Sequence, residues 1–178
     1  MRIFNILILI FLVSINPANS MEKKLYEITF KDLSENTIKL SDYKNKVILV
    51  VNVASRCGFT KQYKGLQKTW EKYKNNGLII LGISSNSFNQ ELDTSQEVKN
   101  FCESNFGITF PVTETVNVKG DGAHDFYKWA LKSHGKSTVP KWNFYKILID
   151  KNGNIVETYS SMTKPTSEKL YRRIEDLL

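Results

Sequence analysis

Thiol and imidazole chemistry in this 178-residue chain is confined to four side chains, Cys57, Cys102, His124 and His134. The histidines show no ligand spacing with either cysteine, so the sequence offers no metal site. Two cysteines are too few to staple a small scaffold; they allow one structural disulfide or a redox pair. Cys57 is the one placed for reaction. It follows a β-branched run, residues 47–53 (VILVVNV), and precedes a helical pattern. In open α/β sheets that carboxyl edge is where ligands bind. A helix start offers unpaired N–H groups and partial positive charge, which favour thiolate over thiol, and Arg56 and Lys61 stand nearby. An ordinary thiol is only slightly ionised at neutral pH, so a nucleophile needs such help. The flanking Ser55, Arg56, Gly58 and Thr60 are loop and cap residues, unlike the neighbours of an inert buried cysteine. In Cys57-Gly58-Phe59-Thr60, threonine replaces the second cysteine of a C-x-x-C pair, which excludes local dithiol exchange.

The elements that must hold Cys57 follow from periodicity. Residues 25–30 and 37–40 alternate apolar and polar side chains about a turn at Ser34-Glu35-Asn36, which predicts a hairpin. Residues 47–53 read as a central strand buried on both faces, and residues 54–60 as a loop. Tyr63, Leu66, Trp70 and Tyr73 recur at helical spacing until Asn75-Asn76-Gly77 stops them. Residues 78–84 (LIILGIS) form a second buried strand, so strand, helix and strand make a βαβ unit with parallel strands. Further helices are predicted over 95–105, 123–133 and 167–178. A second hairpin joins 144–150 to 155–159 about Lys151-Asn152-Gly153-Asn154. The expected fold class is α/β, a mixed central sheet flanked by helices.

The first twenty residues differ from the rest. Arg2 is basic, residues 3–13 are almost wholly apolar, and Ala18 and Ser20 occupy the small-residue positions of a signal-peptidase site. This predicts a secretory signal peptide over 1–20, cleavage before Met21, and one domain over 21–178 in an exported protein. The apolar run is short for a membrane span, which makes an uncleaved anchor the weaker reading. The formal net charge is +7, with the lysines scattered and not gathered into a run. That speaks for solubility, with a bias toward anionic thiols or membrane surfaces, and against nucleic acid binding.

Residues 52–60, Asn-Val-Ala-Ser-Arg-Cys-Gly-Phe-Thr, with Gln62-Tyr63-Lys64-Gly65-Leu66 after them, resemble the active-site segment of the glutathione peroxidase family in its cysteine form. Asn86-Ser87-Phe88-Asn89-Gln90-Glu91 resembles the family's N-x-F-G-x-Q-E stretch, and Lys141-Trp142-Asn143-Phe144 its W-N-F. Phe110-Pro111, Val118-Lys119-Gly120 and Thr163-Lys164-Pro165 follow in the family's order, so the resemblance runs from about Leu25 to the C-terminus. It implies a thioredoxin-like fold and a peroxidase that reduces hydrogen peroxide and organic or lipid hydroperoxides in response to oxidative stress. The resemblance makes Cys57 the peroxidatic nucleophile, and Gln90, Trp142 and Asn143 its polar partners. No cofactor is implied beyond a thiol co-substrate, glutathione or thioredoxin. Two departures stand out. The Gln90 loop is one residue shorter than usual and carries Leu92-Asp93 in place of Pro-Gly, and no long insertion occurs around 115–125. Tetrameric relatives assemble through such an insertion, so a monomer is expected.

Attack on peroxide would leave Cys57 a sulfenic acid, which condenses with thiols. Cys102 is the internal candidate for a resolving cysteine. It lies near the family's resolving region, offset by about one residue, and beside Val98 and Phe101 it also reads as a core residue. An alternative function of another class is an exported thioredoxin-like thiol exchanger or peroxide sensor passing oxidation to a partner protein.

Overall fold

A computed structural model describes residues 25–178; the expected signal peptide over 1–20 lies outside them. Strand β3 (Val47–Val53) is buried at all seven positions, as its unbroken apolar run requires. Its side chains alternate between two cores: Val47, Leu49, Val51 and Val53 face one, Ile48 and Val50 the other. Helix α1 (Gln62–Tyr73) buries Tyr63, Leu66 and Tyr73 and is followed by a short 3-10 turn. Gly77, at φ 105°, closes that turn in the left-handed region that a Cβ disfavours. The chain then returns as β4 (Leu78–Ser84), parallel to β3 and in register from Val47–Leu78 to Val53–Ser84.

Strand β5 (Lys146–Ile149) pairs antiparallel with β3, and β6 (Ile155–Tyr159) antiparallel with β5, so the sheet order is β4-β3-β5-β6. The first core lies under α1, α2 (Ser95–Phe106) and α4 (Glu168–Glu175); the second lies under α3 (Asp125–His134) and the hairpin β1 (Thr29–Lys31) and β2 (Thr37–Lys39). The segment after α2 runs beside β4, where the Gly82 N–H donates to the Pro111 carbonyl and the Thr113 N–H to that of Gly82. Glycine eases this approach, since a Cβ there would crowd Val112 Cγ2 at 3.2 Å and Phe110 Cε2 at 3.3 Å. This helix-flanked mixed sheet is the thioredoxin-like α/β fold expected from the sequence.

Three boundaries move for local reasons. The Ile28 N–H donates to the Leu25 carbonyl and turns the chain, so β1 starts at Thr29 and not at 25. His124 caps α3, its Nδ1 accepting from the Phe126 N–H at 3.3 Å, which delays the helix to Asp125. Ser167 caps α4, and the helix ends at Glu175, short of 178.

Candidate active site

Cys57 sits where β3 gives way to α1, in a run of tight turns and not in the helix itself. The Thr60 N–H donates to the Cys57 carbonyl (3.1 Å), that of Gln62 to Phe59 (2.8 Å) and that of Tyr63 to Thr60 (3.0 Å). The N–H that faces the sulfur is therefore that of Phe59, 3.5 Å from Sγ, and not one from the first turn of α1. Arg56 also departs from the sequence expectation. Its side chain is 58% exposed and reaches out to Asp93 at 4.0 Å, so its guanidinium serves the rim. Although it belongs to a loop, Cys57 is only 4% exposed.

The shortened Gln90 loop closes tightly. Asn89 takes φ 55°, a left-handed value that asparagine tolerates better than most residues. Asn86 holds the two ends, its carbonyl accepting from the Asn89 N–H and its Oδ1 from the Glu91 N–H. The Glu91 carboxylate, 2% exposed, joins this loop to the cysteine loop by accepting from the Ser55 N–H (2.9 Å), the Leu92 N–H (2.9 Å) and the Ser84 hydroxyl (2.9 Å). One residue away, the Arg56 N–H donates to the Gln90 carbonyl at 2.8 Å.

The third segment comes from the turn before β5. Asn143 is fully buried and donates from Nδ2 to Gln90 Oε1 at 2.9 Å. With Oε1 engaged, Gln90 keeps its Nε2 hydrogens for another acceptor. Trp142 is 41% exposed and packs against Phe88, ring centroids 5.2 Å apart, with the Lys119 ammonium 4.1 Å from the Phe88 centroid. Asn52, the one polar residue of β3, binds this turn through both chains of atoms: Nδ2 donates to the Trp142 carbonyl (3.1 Å), Oδ1 accepts from the Tyr145 N–H (3.1 Å), and its carbonyl accepts from the Phe144 N–H (2.6 Å). The three segments that carry Cys57, Gln90 and Trp142-Asn143 thus converge at the carboxyl end of β3. Sequence alone does not single out Asn52 or Glu91 as the residues that join them. The visible signals are an asparagine inside an apolar strand and an acid beside the motif glutamine.

Cys102 lies apart from this cluster, on α2, 2% exposed and unbonded. Burial pushes its thiol up to about 11, helped by the charges of Glu91 and Glu103 and opposed by the Tyr63 hydroxyl. Tyr63 is fully buried, and burial followed by Cys102, Glu91 and Cys57 raises its own pKa. Its hydroxyl meets no partner in good geometry; the Cys102 thiol is beside it in a contact too loose for a well-formed hydrogen bond. The Cys102 thiol therefore lies beside this buried phenol, while Cys57 acts on it only through its charge.

A lone cysteine at the end of a thioredoxin-type central strand, on a loop hydrogen-bonded to the loop that carries Gln90 and with no second cysteine in its turn, fits a thiol peroxidase of that fold. The sequence model of the glutathione peroxidase family matches residues 25–132. A glutathione peroxidase-like peroxiredoxin, gpx1 of Schizosaccharomyces pombe, is 46% identical over 157 residues, covering 86% of this chain and 98% of its own. Among solved structures, the crystal structure of Trgpx in apo form is 35% identical with a TM-score of 0.68, covering 86% of this chain and 94% of that one. A thiol:disulfide interchange protein of the thioredoxin family from Chlorobium tepidum TLS shares the fold at 15% identity, with a TM-score of 0.64 over 84% of this chain and 92% of that one. The chain belongs to the glutathione peroxidase family. It is a peroxidase, an oxidoreductase that reduces a peroxide at the expense of a thiol.

Proposed function

We propose that Cys57 is the peroxidatic nucleophile, acting on hydrogen peroxide and organic or lipid hydroperoxides in defence against oxidative stress. The observation that carries this reading is the Asn143–Gln90 hydrogen bond at 2.9 Å, beside a cysteine loop itself bonded to the Gln90 backbone. A sulfur lone pair attacks one peroxide oxygen, the O–O bond breaks, and its electron pair leaves on the alkoxide, which takes up a proton. Gln90, Asn143 and Trp142 carry N–H donors that can stabilise the developing oxyanion without competing as nucleophiles. The products are the Cys57 sulfenic acid and an alcohol or water.

Reset consumes thiols. Either two glutathione molecules reduce the sulfenic acid by way of a mixed disulfide, or Cys102 condenses with it, releasing water, and thioredoxin reduces the resulting disulfide. The membership of Cys57, Tyr63 and Cys102 in one core cluster supports the internal route. A disulfide needs its sulfurs about 2 Å apart, and both thiols are free and buried, so the internal route requires them to move together. Peroxidase turnover with glutathione and with thioredoxin, on wild type, Cys57→Ser and Cys102→Ser, tests both claims. Cys57→Ser should be inactive. Cys102→Ser should lose thioredoxin-coupled turnover but keep a single reduction of peroxide. Activity retained in Cys57→Ser overturns the assignment, and full thioredoxin-coupled turnover in Cys102→Ser removes the internal route. The basic start, apolar run and Ala18/Ser20 pattern of residues 1–20 support export, and the lack of a long insertion around 115–125 supports a monomer.

A further inference from the structure

Lys146 is fully buried, yet among the described residues no carboxylate meets its ammonium; the two hydrogen-bond acceptors it has there are neutral oxygens. Its Nζ donates to Gln62 Oε1 at 2.9 Å and to the Phe144 carbonyl at 2.8 Å. It stands at the start of β5, opposite Val51 of β3, on the sheet face covered by α1. A lysine in that position buries a strongly hydrated charge among valine, phenylalanine and tyrosine, which is costly without a carboxylate partner. For stability alone, an apolar side chain of similar length would serve at least as well. The two groups it binds indicate what the charge does instead.

Gln62 opens α1, at the end of the turns that begin at Cys57, and its Nε2 in turn donates to the Ser161 carbonyl at 2.6 Å. Phe144 follows Trp142-Asn143 directly. It is held at φ 62°, a left-handed value that is strained for a bulky aromatic residue. Asn52 fixes the Phe144 N–H from one side, and Lys146 holds the Phe144 carbonyl from the other. Both peptide planes about that strained residue are therefore pinned by buried polar groups.

We propose that Lys146 is a positioning residue for peroxide cleavage: through Gln62 and the Phe144 carbonyl it locks the start of α1 to the strained turn that aims Trp142 and Asn143 at the Cys57 site. It touches neither the sulfur nor the peroxide. This rests on the assignment of Trp142 and Asn143 to the cleavage step. Removing the clamp should loosen the donors while leaving the thiol in place.

The test compares two reactions of Cys57 in the same variants. Alkylation by iodoacetamide needs only the sulfur, whereas single-turnover reduction of hydrogen peroxide also needs the donors. In Lys146→Met the peroxide rate constant should fall about tenfold or more, the size of one lost transition-state contact, with alkylation within about twofold of wild type and thermal stability equal or higher. Lys146→Gln keeps a donor but is too short to span both oxygens, and should lie between. If Lys146→Met does not fold, Lys146→Gln carries the same comparison. Peroxide rates within about twofold of wild type in the folded variants overturn the clamp, as does a loss shared equally by alkylation. Asn143→Ala is the control for the underlying assignment. A peroxide rate it leaves unchanged refutes that assignment and the clamp with it, whereas a slow Asn143→Ala beside a fast Lys146→Met refutes the clamp alone.

Discussion

The proton of Lys146 makes this residue's contribution to stability depend on pH. Burial pushes its ammonium from the ordinary 10.5 down to about 7. Below that value folded and unfolded chains both hold the proton, and the cost of burying charge is felt in full. Between about 7 and 10.5 the unfolded chain binds a proton that the folded one has released, so this residue's contribution to stability rises with pH, by at most ~1.4 kcal/mol per unit. Urea unfolding of wild type and Lys146→Met at about pH 7 and about pH 9 should therefore show wild type gaining roughly 1–2 kcal/mol on the variant as pH rises. The other ionisable groups are common to both proteins and cancel in the comparison. A difference that stays flat with pH would mean Lys146 keeps an ordinary pKa in the fold. Cys102 has the reverse problem as a nucleophile. With its pKa at about 11, it is a neutral thiol at physiological pH until it leaves the core.

The movement that internal resolution would ask of Cys102 is one of α2. Of its twelve residues only Val98 and Cys102 are fully buried, with Phe101 and Phe106 partly covered against the Tyr63 ring. At its start a capping box holds it: Thr94 Oγ1 accepts from the Glu97 N–H (3.2 Å), and Glu97 Oε2 accepts from the Thr94 N–H (3.0 Å). A pocket of about 290 Å³ adjoins its inner face, lined in part by Cys102, Lys99, Leu33 and Phe110. An element held by so few buried side chains opens more readily than the strands beneath it. Thr94→Ala should cost α2 about 1 kcal/mol, which raises its open population about fivefold. Hydrogen exchange of α2 amides and formation of the Cys57–Cys102 disulfide after a single peroxide pulse should both accelerate by that factor, with the peroxide step unchanged. Faster exchange without faster disulfide formation would show that opening of α2 does not limit resolution.

At the scale of the molecule, the large exposed apolar side chains among the described residues are Leu131, Trp142 and Met162. They sit on α3, before β5 and after β6, three separate places. Single exposed side chains of this kind are ordinary on monomers, whereas a stable pair of proteins buries about 800 Å² on each partner. Sedimentation should therefore give one species at the monomer mass over a wide concentration range; a concentration-dependent dimer would contradict that reading. The same preparation, recovered from the export compartment, should begin at Met21 on N-terminal sequencing. A chain that keeps residues 1–20 there would instead be anchored by them.

The sequence by itself determined the elements and singled out Cys57 as the residue placed for reaction. A seven-residue run rich in β-branched side chains, VILVVNV, favours a strand covered on both faces, and helical spacing in 62–73 follows from 3.6 residues per turn. The motif order likewise named Cys57, Gln90, Trp142 and Asn143, because residue type and neighbours carry chemistry locally. Only the tertiary structure decided what holds them. Asn52, Glu91 and Lys146 bind partners far along the chain, and a hydrogen bond between distant segments leaves no period in a sequence. It decided also that the Phe59 N–H faces the sulfur, that Arg56 points outward, and that Cys102 lies in the core. Direction and burial of a side chain depend on what packs against it, and packing is settled only when the whole chain has closed on itself.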